Sequence, residues 1–502
     1  MSKIRGMRRY GFLASSIGVT CVAGLALAPG LPAAAATATA AGAAVPRAAA
    51  HLAPAAAPAA VPAQAPAAAP AAAPASVPAT VPAAVPGSTQ SLPLAPRTEG
   101  RVRGRARGAA LAAAPEQGLY RADVRHFSLV GVVWDNPGTE LHGTVQIRTR
   151  SAATGAWSDW QDVDTHNADH GADPGTAERA AGHVRGGTAP LWVGDSDGVD
   201  VRVRADTGDR EAGAPADPPA PLPSGLRLEL VDPGDTSAAD SQADQPRTGE
   251  PTEAATAASA ANTGLAALGA TEIPALDRAG TERELLELRG GELTDAQRAE
   301  PHIGARPRIV TRRGWGADES LRSRGFVYTK KVKAAFVHHT ATGNKYRCSQ
   351  TPSVIRSIYR YHVKSMGWRD IGYNFLVDKC GTVYEGRAGG VAKPVLGAHT
   401  MGFNSNSVGI AVIGTYSKSK PSSAAVKAVA KLAAWKLGLY GMNPRGKTYL
   451  KSGGGNLYQK GKNVHLNVIS GHRDGFATDC PGRKLYGKLG TIRSTAARYQ
   501  GR

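Results

Sequence analysis

The residues best equipped for chemistry lie near the end of the chain. His472 sits in Gly471-His472-Arg473-Asp474, and Cys480 follows eight residues later in Thr478-Asp479-Cys480-Pro481-Gly482. Imidazole and thiolate are zinc ligands, and a catalytic zinc takes three protein donors while keeping a fourth position for water. A third donor is available from His338 or His339, which end the apolar run from Ala334. Cysteine usage bears on this. Of the 4 cysteines, Cys21 lies in an N-terminal apolar run expected to be removed, leaving Cys348, Cys380 and Cys480. Outside the cell two of three would pair and one would be left over. Metal ligation gives that thiol a role; a buried free cysteine beside an unrelated histidine is the plainer alternative.

The elements that must position these groups alternate between strand and helix patterns. Ala334 to His339 reads as a strand. Thr351-Pro352 opens a helix reaching Lys364. Phe375 to Val377 and Val383-Tyr384 form a hairpin-like pair around Lys379-Cys380-Gly381. Val408 to Ile413 reads as a buried strand, and Pro421 to Leu437 as a helix stopped by Gly438. Val468-Ile469 is a short strand leading into Gly471-His472, and a last helix spans Lys484 to Tyr499. The fold class expected for 306–502 is α/β, a mixed central sheet flanked by helices.

The rest of the chain is different in kind. Lys3, Arg5, Arg8 and Arg9 precede an apolar run from Tyr10 to Pro29 and the small residues Ala33 to Ala36, the order of a secretory signal peptide at 1–36. Residues 37–115 are Ala/Pro-rich, with Pro54, Pro58, Pro62, Pro66, Pro70 and Pro74 at every fourth position, and read as an extended, disordered spacer. Residues 116–235 carry period-two alternation, as at Thr144 to Arg150 and Val199 to Val203, and no long helical period. They read as a small β-sandwich-like domain, interrupted by a polar excursion at Thr165 to Gly187. Asp195-Ser196-Asp197-Gly198 lacks the further ligands of a calcium loop and reads as a turn. Residues 236–305 read as a second linker with one helical stretch near Glu282 to Leu288.

Charge follows the same division. The 502 residues carry 60 Lys and Arg against 40 Asp and Glu, but 306–502 alone hold 35 against 7, a net of +28. Such a domain attracts anionic partners. Export and the lack of a recognised binding motif argue against nucleic acid and favour anionic cell-wall polymers. No apolar run beyond the signal is long enough to span a bilayer. Gly441-Met442-Asn443-Pro444-Arg445-Gly446-Lys447-Thr448 has the letters of a phosphate loop but follows a helix instead of a strand, and reads as a flexible basic surface loop.

The C-terminal region resembles the peptidoglycan recognition protein family and its relatives, the zinc amidases that include phage amidase lysozymes. The resemblance rests on Arg313-Gly314-Trp315-Gly316-Ala317, Val337-His338-His339-Thr340-Ala341, Trp368 to Val377, Tyr384-Glu385-Gly386-Arg387, Gly397-Ala398-His399, Ser407-Val408-Gly409-Ile410, and Gly471-His472-Arg473-Asp474 with Cys480-Pro481-Gly482. These stand in the family's order and cover nearly all of Pro307 to Leu489.

The resemblance implies a secreted or cell wall-associated, zinc-dependent N-acetylmuramoyl-L-alanine amidase. Such an enzyme hydrolyses the amide between the muramic acid lactyl group and the L-Ala of the stem peptide. It implies His338, His472 and Cys480 as zinc ligands, with His339 turned the other way on its strand. It places Tyr373 before the zinc-bound water and Thr478 as a second donor. Ala411 stands where the intracellular branch has a glutamate, so that carboxylate base is missing. His399 and Arg387 are candidates for substrate contact, with structural roles as the alternative for each. Cys348 and Cys380 are the expected disulfide. A non-catalytic peptidoglycan-binding module is the alternative reading, disfavoured by the presence of Cys480.

Overall fold

The computed structural model describes residues 87–97, 115–165, 167, 169–206, 221–234 and 252–502. The export signal at 1–36, most of the spacer and the start of the second linker lie outside the described residues.

The C-terminal sheet has seven strands in the order Glu272–Ile273, Ile309–Val310, Val383–Glu385, Phe375–Val377, Ser407–Val412, Ala334–His339 and Ile469–Gly471. Ala334–His339 runs parallel to both of its neighbours, while Phe375–Val377 and Val383–Glu385 pair antiparallel. Central strands covered on both faces become continuous apolar runs, which is why Val408 to Ile413 shows no alternation. The pleat still sorts side chains between two faces. Ala335, Val337, Val377 and Ile410 join Trp435 and Ile492 in one core, under the helices Ser423–Gly438 and Leu489–Tyr499. Leu376 and Ala411 join Ile355, Ile358 and Tyr361 in another, under the helix Thr351–Arg360. Ser422 caps the first of these helices by accepting from the Ala425 N–H. Thr351–Arg360 continues as a π-helical turn, Tyr361–Ser365. The last expected helix is divided into Arg483–Tyr486 and Leu489–Tyr499.

The β-rich domain folds around its own apolar core of Phe127, Val130, Val132, Trp134, Val145, Ile147, Val201, Leu228 and Leu230. Its organising element is the strand Leu191–Ala205, whose first half pairs with Phe127–Trp134 and whose second half lies between Glu116–Arg121 and Gly143–Ser151. Asp195-Ser196-Asp197-Gly198 lies inside this strand at a shift of register and is not a turn. Asp197 accepts from Arg150, and Asp195 faces His126.

Three further expectations are corrected. Within the spacer, Ser88–Pro93 is a strand pairing antiparallel with Arg227–Asp232, its Leu92 packed on the β-rich core. The second linker is largely structural: it holds the helices Glu253–Ala260, Arg278–Arg289 and Asp295–Ala299 and the sheet strand Glu272–Ile273. Its few apolar residues are decisive, because Ile273, Leu285 and Ile303 are all buried in the core of the C-terminal domain. The Asn262 amide ties it further, donating to Glu385 and accepting from the Val391 N–H. The basic loop around Gly441 is half strand, with Lys447–Lys451 pairing antiparallel to Asn463–Asn467.

The β-rich and C-terminal domains share a core. Leu129, Val133, Val184, Trp192 and Val231 pack in one cluster with Trp315, Ile355, Tyr361, Met366 and Trp368. Buried polar groups cross the same boundary. The Tyr361 hydroxyl donates to the Thr188 carbonyl at 3.0 Å, Ser365 Oγ to Glu229 at 2.9 Å, and the Trp192 N–H to the Thr342 carbonyl at 3.0 Å. The expected effect of Leu285→Ala is a loss of about 2–5 kcal/mol, read as a lower denaturant midpoint by tryptophan fluorescence; a true linker would not respond.

Candidate metal centre

Sheet register brings the first two donors together. Val337 lies opposite Gly471 in a parallel pair, so the next residues along, His338 and His472, emerge side by side. The pleat turns His338 away from the core that holds Ala335 and Val337 and turns His339 toward it. His339 Nδ1 there accepts from the Tyr416 N–H at 3.2 Å. Beyond His472 the chain makes a tight turn, held by the Gly471 N–H donating to Asp474. It then loops back, and the Arg473 N–H donates to the Cys480 carbonyl at 3.1 Å. That return carries Cys480 Sγ to 3.7 Å from His338 Nδ1, while His338 Nδ1 and His472 Nδ1 stand 3.1 Å apart.

A fourth donor comes from the β-rich domain. His170, in the polar excursion, brings its Nε2 to 3.9 Å from Cys480 Sγ, and its ring meets that of His472 edge-on at 4.5 Å. The donor atoms of His170, His338, His472 and Cys480 all lie within 4.8 Å of one another, and all four side chains are buried. For zinc bonded at 2.0–2.3 Å, tetrahedral donors are separated by roughly 3.3–3.6 Å. The observed 3.1, 3.7 and 3.9 Å bracket that range, so the donor set fits a zinc ion.

The surroundings prepare these groups as ligands. Burial, together with the neighbouring imidazoles, pushes His338 well below its ordinary pKa, and burial pushes His472 down to about 3 against the pull of Asp169. Both rings are neutral and carry a lone pair. Burial, together with the nearby Asp169 carboxylate, pushes the Cys480 thiol up, a preference that a coordinated dication reverses. The Thr400 hydroxyl lies 3.4 Å from His338 Nε2, the nitrogen facing away from the cluster. His170 Nδ1 lies 2.9 Å from the Asp169 carboxylate. Burial works to raise that carboxyl, but His170 and His472 outweigh it and hold it below its usual range. A carboxylate behind a ligating imidazole fixes its tautomer and orientation.

The other expected site residues fall as follows. Tyr373 is buried against the cluster, its ring 5.6 Å from that of His338 and 5.8 Å from that of His170. Burial holds its hydroxyl protonated. Thr478 is half-buried in the Cys480 loop, its Oγ1 accepting from the Cys480 N–H, and it lines a small cavity with Asp169. His399 is fully buried behind His338, its ring 5.2 Å away, and its Nδ1 lies 3.1 Å from the Thr400 hydroxyl. Arg387 is also buried and grips Glu178 of the excursion through two hydrogen bonds of 3.0 and 2.8 Å. Neither His399 nor Arg387 is open to a substrate in this arrangement. Cys348 and Cys380 form the disulfide, leaving Cys480 as the free cysteine among the described residues. Ala411 lies opposite His338 in the sheet, so no carboxylate occupies that position. A separate cavity lies against Asn262, Arg312, Glu319 and Glu385, and its Arg312 is already paired with Glu319 and Asp370.

Sequence reasoning missed Asp169 and His170. Their only signal was an excursion rich in His, Asp and Glu within a domain of alternating strands, whose core had no use for those groups.

A buried His-Cys cluster at the end of an interior strand of a mixed sheet is a candidate centre for a metal-dependent hydrolase. Residues 328–483 match the family described as N-acetylmuramoyl-L-alanine amidase, and residues 68–223 match one described as Rv3811 N-terminal galactose-binding domain-like. Peptidoglycan-recognition protein SC2 of Drosophila simulans is 31% identical over 186 residues, covering 36% of this chain and 85% of that protein. An N-acetylmuramoyl-L-alanine amidase of Homo sapiens is 33% identical over 193 residues, covering 37% of this chain and 28% of that protein. A solved structure of peptidoglycan recognition protein-LE in complex with tracheal cytotoxin is 30% identical, covering 36% of this chain and 92% of that one with a TM-score of 0.28. The chain belongs to the family of peptidoglycan recognition proteins and N-acetylmuramoyl-L-alanine amidases.

The donor set predicts one zinc per chain by elemental analysis, lost in Cys480→Ala. Thr400→Val, which removes the partner of His338 Nε2, is expected to weaken zinc affinity about 10–100-fold, measured by competition with a chromophoric chelator.

Proposed function

We propose that the protein is a secreted, cell wall-associated, zinc-dependent N-acetylmuramoyl-L-alanine amidase that cleaves the bond between the muramic acid lactyl group and L-Ala. The observation that carries the reading is the convergence of His338, His472 and Cys480 within the amidase-matching region. Two neutral imidazoles and one thiolate would hold the ion at a net +1. When bound, zinc supplies a Lewis acid that polarises the scissile carbonyl and acidifies water.

The chain's own groups would do the rest. Tyr373, protonated and beside His338, would donate to the carbonyl oxygen as negative charge builds there. Thr478 would supply a second hydroxyl from the Cys480 loop. Thr400 fixes the His338 ring, and Arg387 would pair with a carboxylate of the stem peptide once released from Glu178. With Ala411 in place of a carboxylate, proton transfer falls to these hydroxyls and to solvent. Residues 1–36 would direct export, and the alanine- and proline-rich stretch after them would let the domain reach through a wall. The net charge of +28 over 306–502 would draw the domain to anionic wall polymers. No helix among the described residues is long and apolar enough to cross a membrane.

A second reading, a peptidoglycan-binding module without turnover, is favoured by His170, because a site with four protein donors is of the structural type. Mass spectrometry of peptidoglycan digested by the native chain and by His170→Ala tests both. Chelator-sensitive release of stem peptides beginning at L-Ala, abolished by Cys480→Ala, is expected from at least one of the two. Peptidoglycan binding with no released peptide from either, at full zinc occupancy, would leave the binding module.

A further inference from the structure

The excursion of the β-rich domain does more than touch the cluster. From Asp169 to Arg185 it lines the side of the C-terminal domain on which His338 opens. The Met401 N–H donates to the Asp169 carbonyl at 3.0 Å. The Asn404 amide donates to the Gly171 carbonyl at 2.8 Å, and Asp173 Oδ1 accepts from the Gly402 N–H at 2.8 Å and the Asn404 amide at 2.6 Å. Glu178 takes Arg387 and also accepts from the Arg369 N–H at 3.3 Å. The Arg185 N–H donates to the Met366 carbonyl at 3.0 Å. Asp169, His170, Asp173 and Glu178 are all buried, as are Arg387, Asn404 and Trp368 beneath them. Buried carboxylates are retained only where specific donors meet them, and each of these meets donors on the amidase domain or on the neighbouring His170.

The contacts imitate a substrate. A stem peptide is anionic and offers carboxylates to an arginine; Glu178 offers one to Arg387. A catalytic zinc needs one coordination position free of protein; His170 Nε2 stands where that position would be, with Asp169 behind it as an orienting carboxylate.

We propose that residues 169–185 are a built-in inhibitor, with His170 as the fourth ligand of the zinc held by His338, His472 and Cys480, and Glu178 in the carboxylate subsite of Arg387. The chain as folded is then a latent amidase, and withdrawal of this segment opens a coordination position and the substrate cleft together. The inference rests on the zinc amidase reading above. No covalent bond of the chain would have to break: the His170 imidazole would give up the fourth donor position and leave it to solvent.

The shared core limits what has to move. Leu129, Val133, Trp192 and Val231, all outside the segment, are anchored among Trp315, Ile355 and Trp368, so the β-rich domain stays docked while the excursion lifts. Gly171 at φ +131 and Gly175 at φ +80 lie within the segment, in conformations that favour glycine.

The test uses the full chain loaded with cobalt(II), whose visible spectrum reports ligand number, alongside the zinc form. The native chain is expected to bind one metal and to show a four-coordinate spectrum indifferent to added azide. His170→Ala is expected to bind one metal, to respond to azide, and to release stem peptides about 10–100-fold faster than native, as when a scarce competent state becomes the dominant one. Glu178→Ala leaves all four donors in place and is expected to raise release by a smaller factor, which keeps the test alive if His170→Ala misfolds. A native spectrum that already responds to azide would overturn the proposal while leaving the amidase reading intact. So would a His170→Ala chain with weaker metal binding and slower release, since His170 would then build the active site. Azide-responsive metal in His170→Ala with no stem peptide released by any form would overturn the amidase reading and the latency with it.

Discussion

Two parallel strands, paired so that Val337 faces Gly471, set the position of everything at the centre. In a parallel pair residues that follow a matched position emerge on the same side, so His338 and His472 meet without any loop having to find them. Cys480 is added by a short return of chain held by a backbone hydrogen bond to Arg473. The cost of this arrangement is large. Imidazoles and a thiol are stripped of water, and donor atoms face one another at 3.1 to 3.9 Å. Lone pairs so placed repel, and a cation among them is the natural compensation.

The rest of the C-terminal domain holds that pair of strands still. One face of the sheet is covered by two helices, of which Ser423–Gly438 is rich in alanine and so lies close. The other face is covered partly by Thr351–Arg360 and partly by a different domain. That second cover explains why Arg387 is buried, while Arg312 and Glu385 are covered by segments leading into the C-terminal domain. Each is satisfied by a partner from a segment that precedes the amidase-matching region: Glu319, Glu178 and Asn262 respectively.

Much of the site was legible because it is encoded locally. His338 ends an apolar strand, His472 follows a short one, and Cys480 is eight residues on; spacing made His472 and Cys480 candidate ligands, and the family resemblance chose His338 over His339. The same holds for the helices at 351 and 423, which announce themselves through Pro352 at the start of one and Gly438 at the end of the other. What was not legible depends on docking. His170 lies more than 160 residues before His338, and nothing in its own neighbourhood says which surface it will meet. The segment from 252 to 305 was obscured differently. Its average composition is that of a linker, yet Ile273, Leu285 and Ile303 suffice to bind it into the core. His399 and Arg387 were readable as polar residues in motif positions, but whether each faces solvent or a neighbour is set by the domain above them.

The apolar cluster shared by Leu129, Trp192, Ile355 and Trp368 has a consequence for how such a chain can evolve. Two domains that meet through polar surfaces can be exchanged like beads on a string. Here neither owns its half of the common interior, and separating them would leave tryptophans and a tyrosine in water. In this chain substitutions along the seam must be answered on the other side of it. The two domains behave here as a single unit of folding.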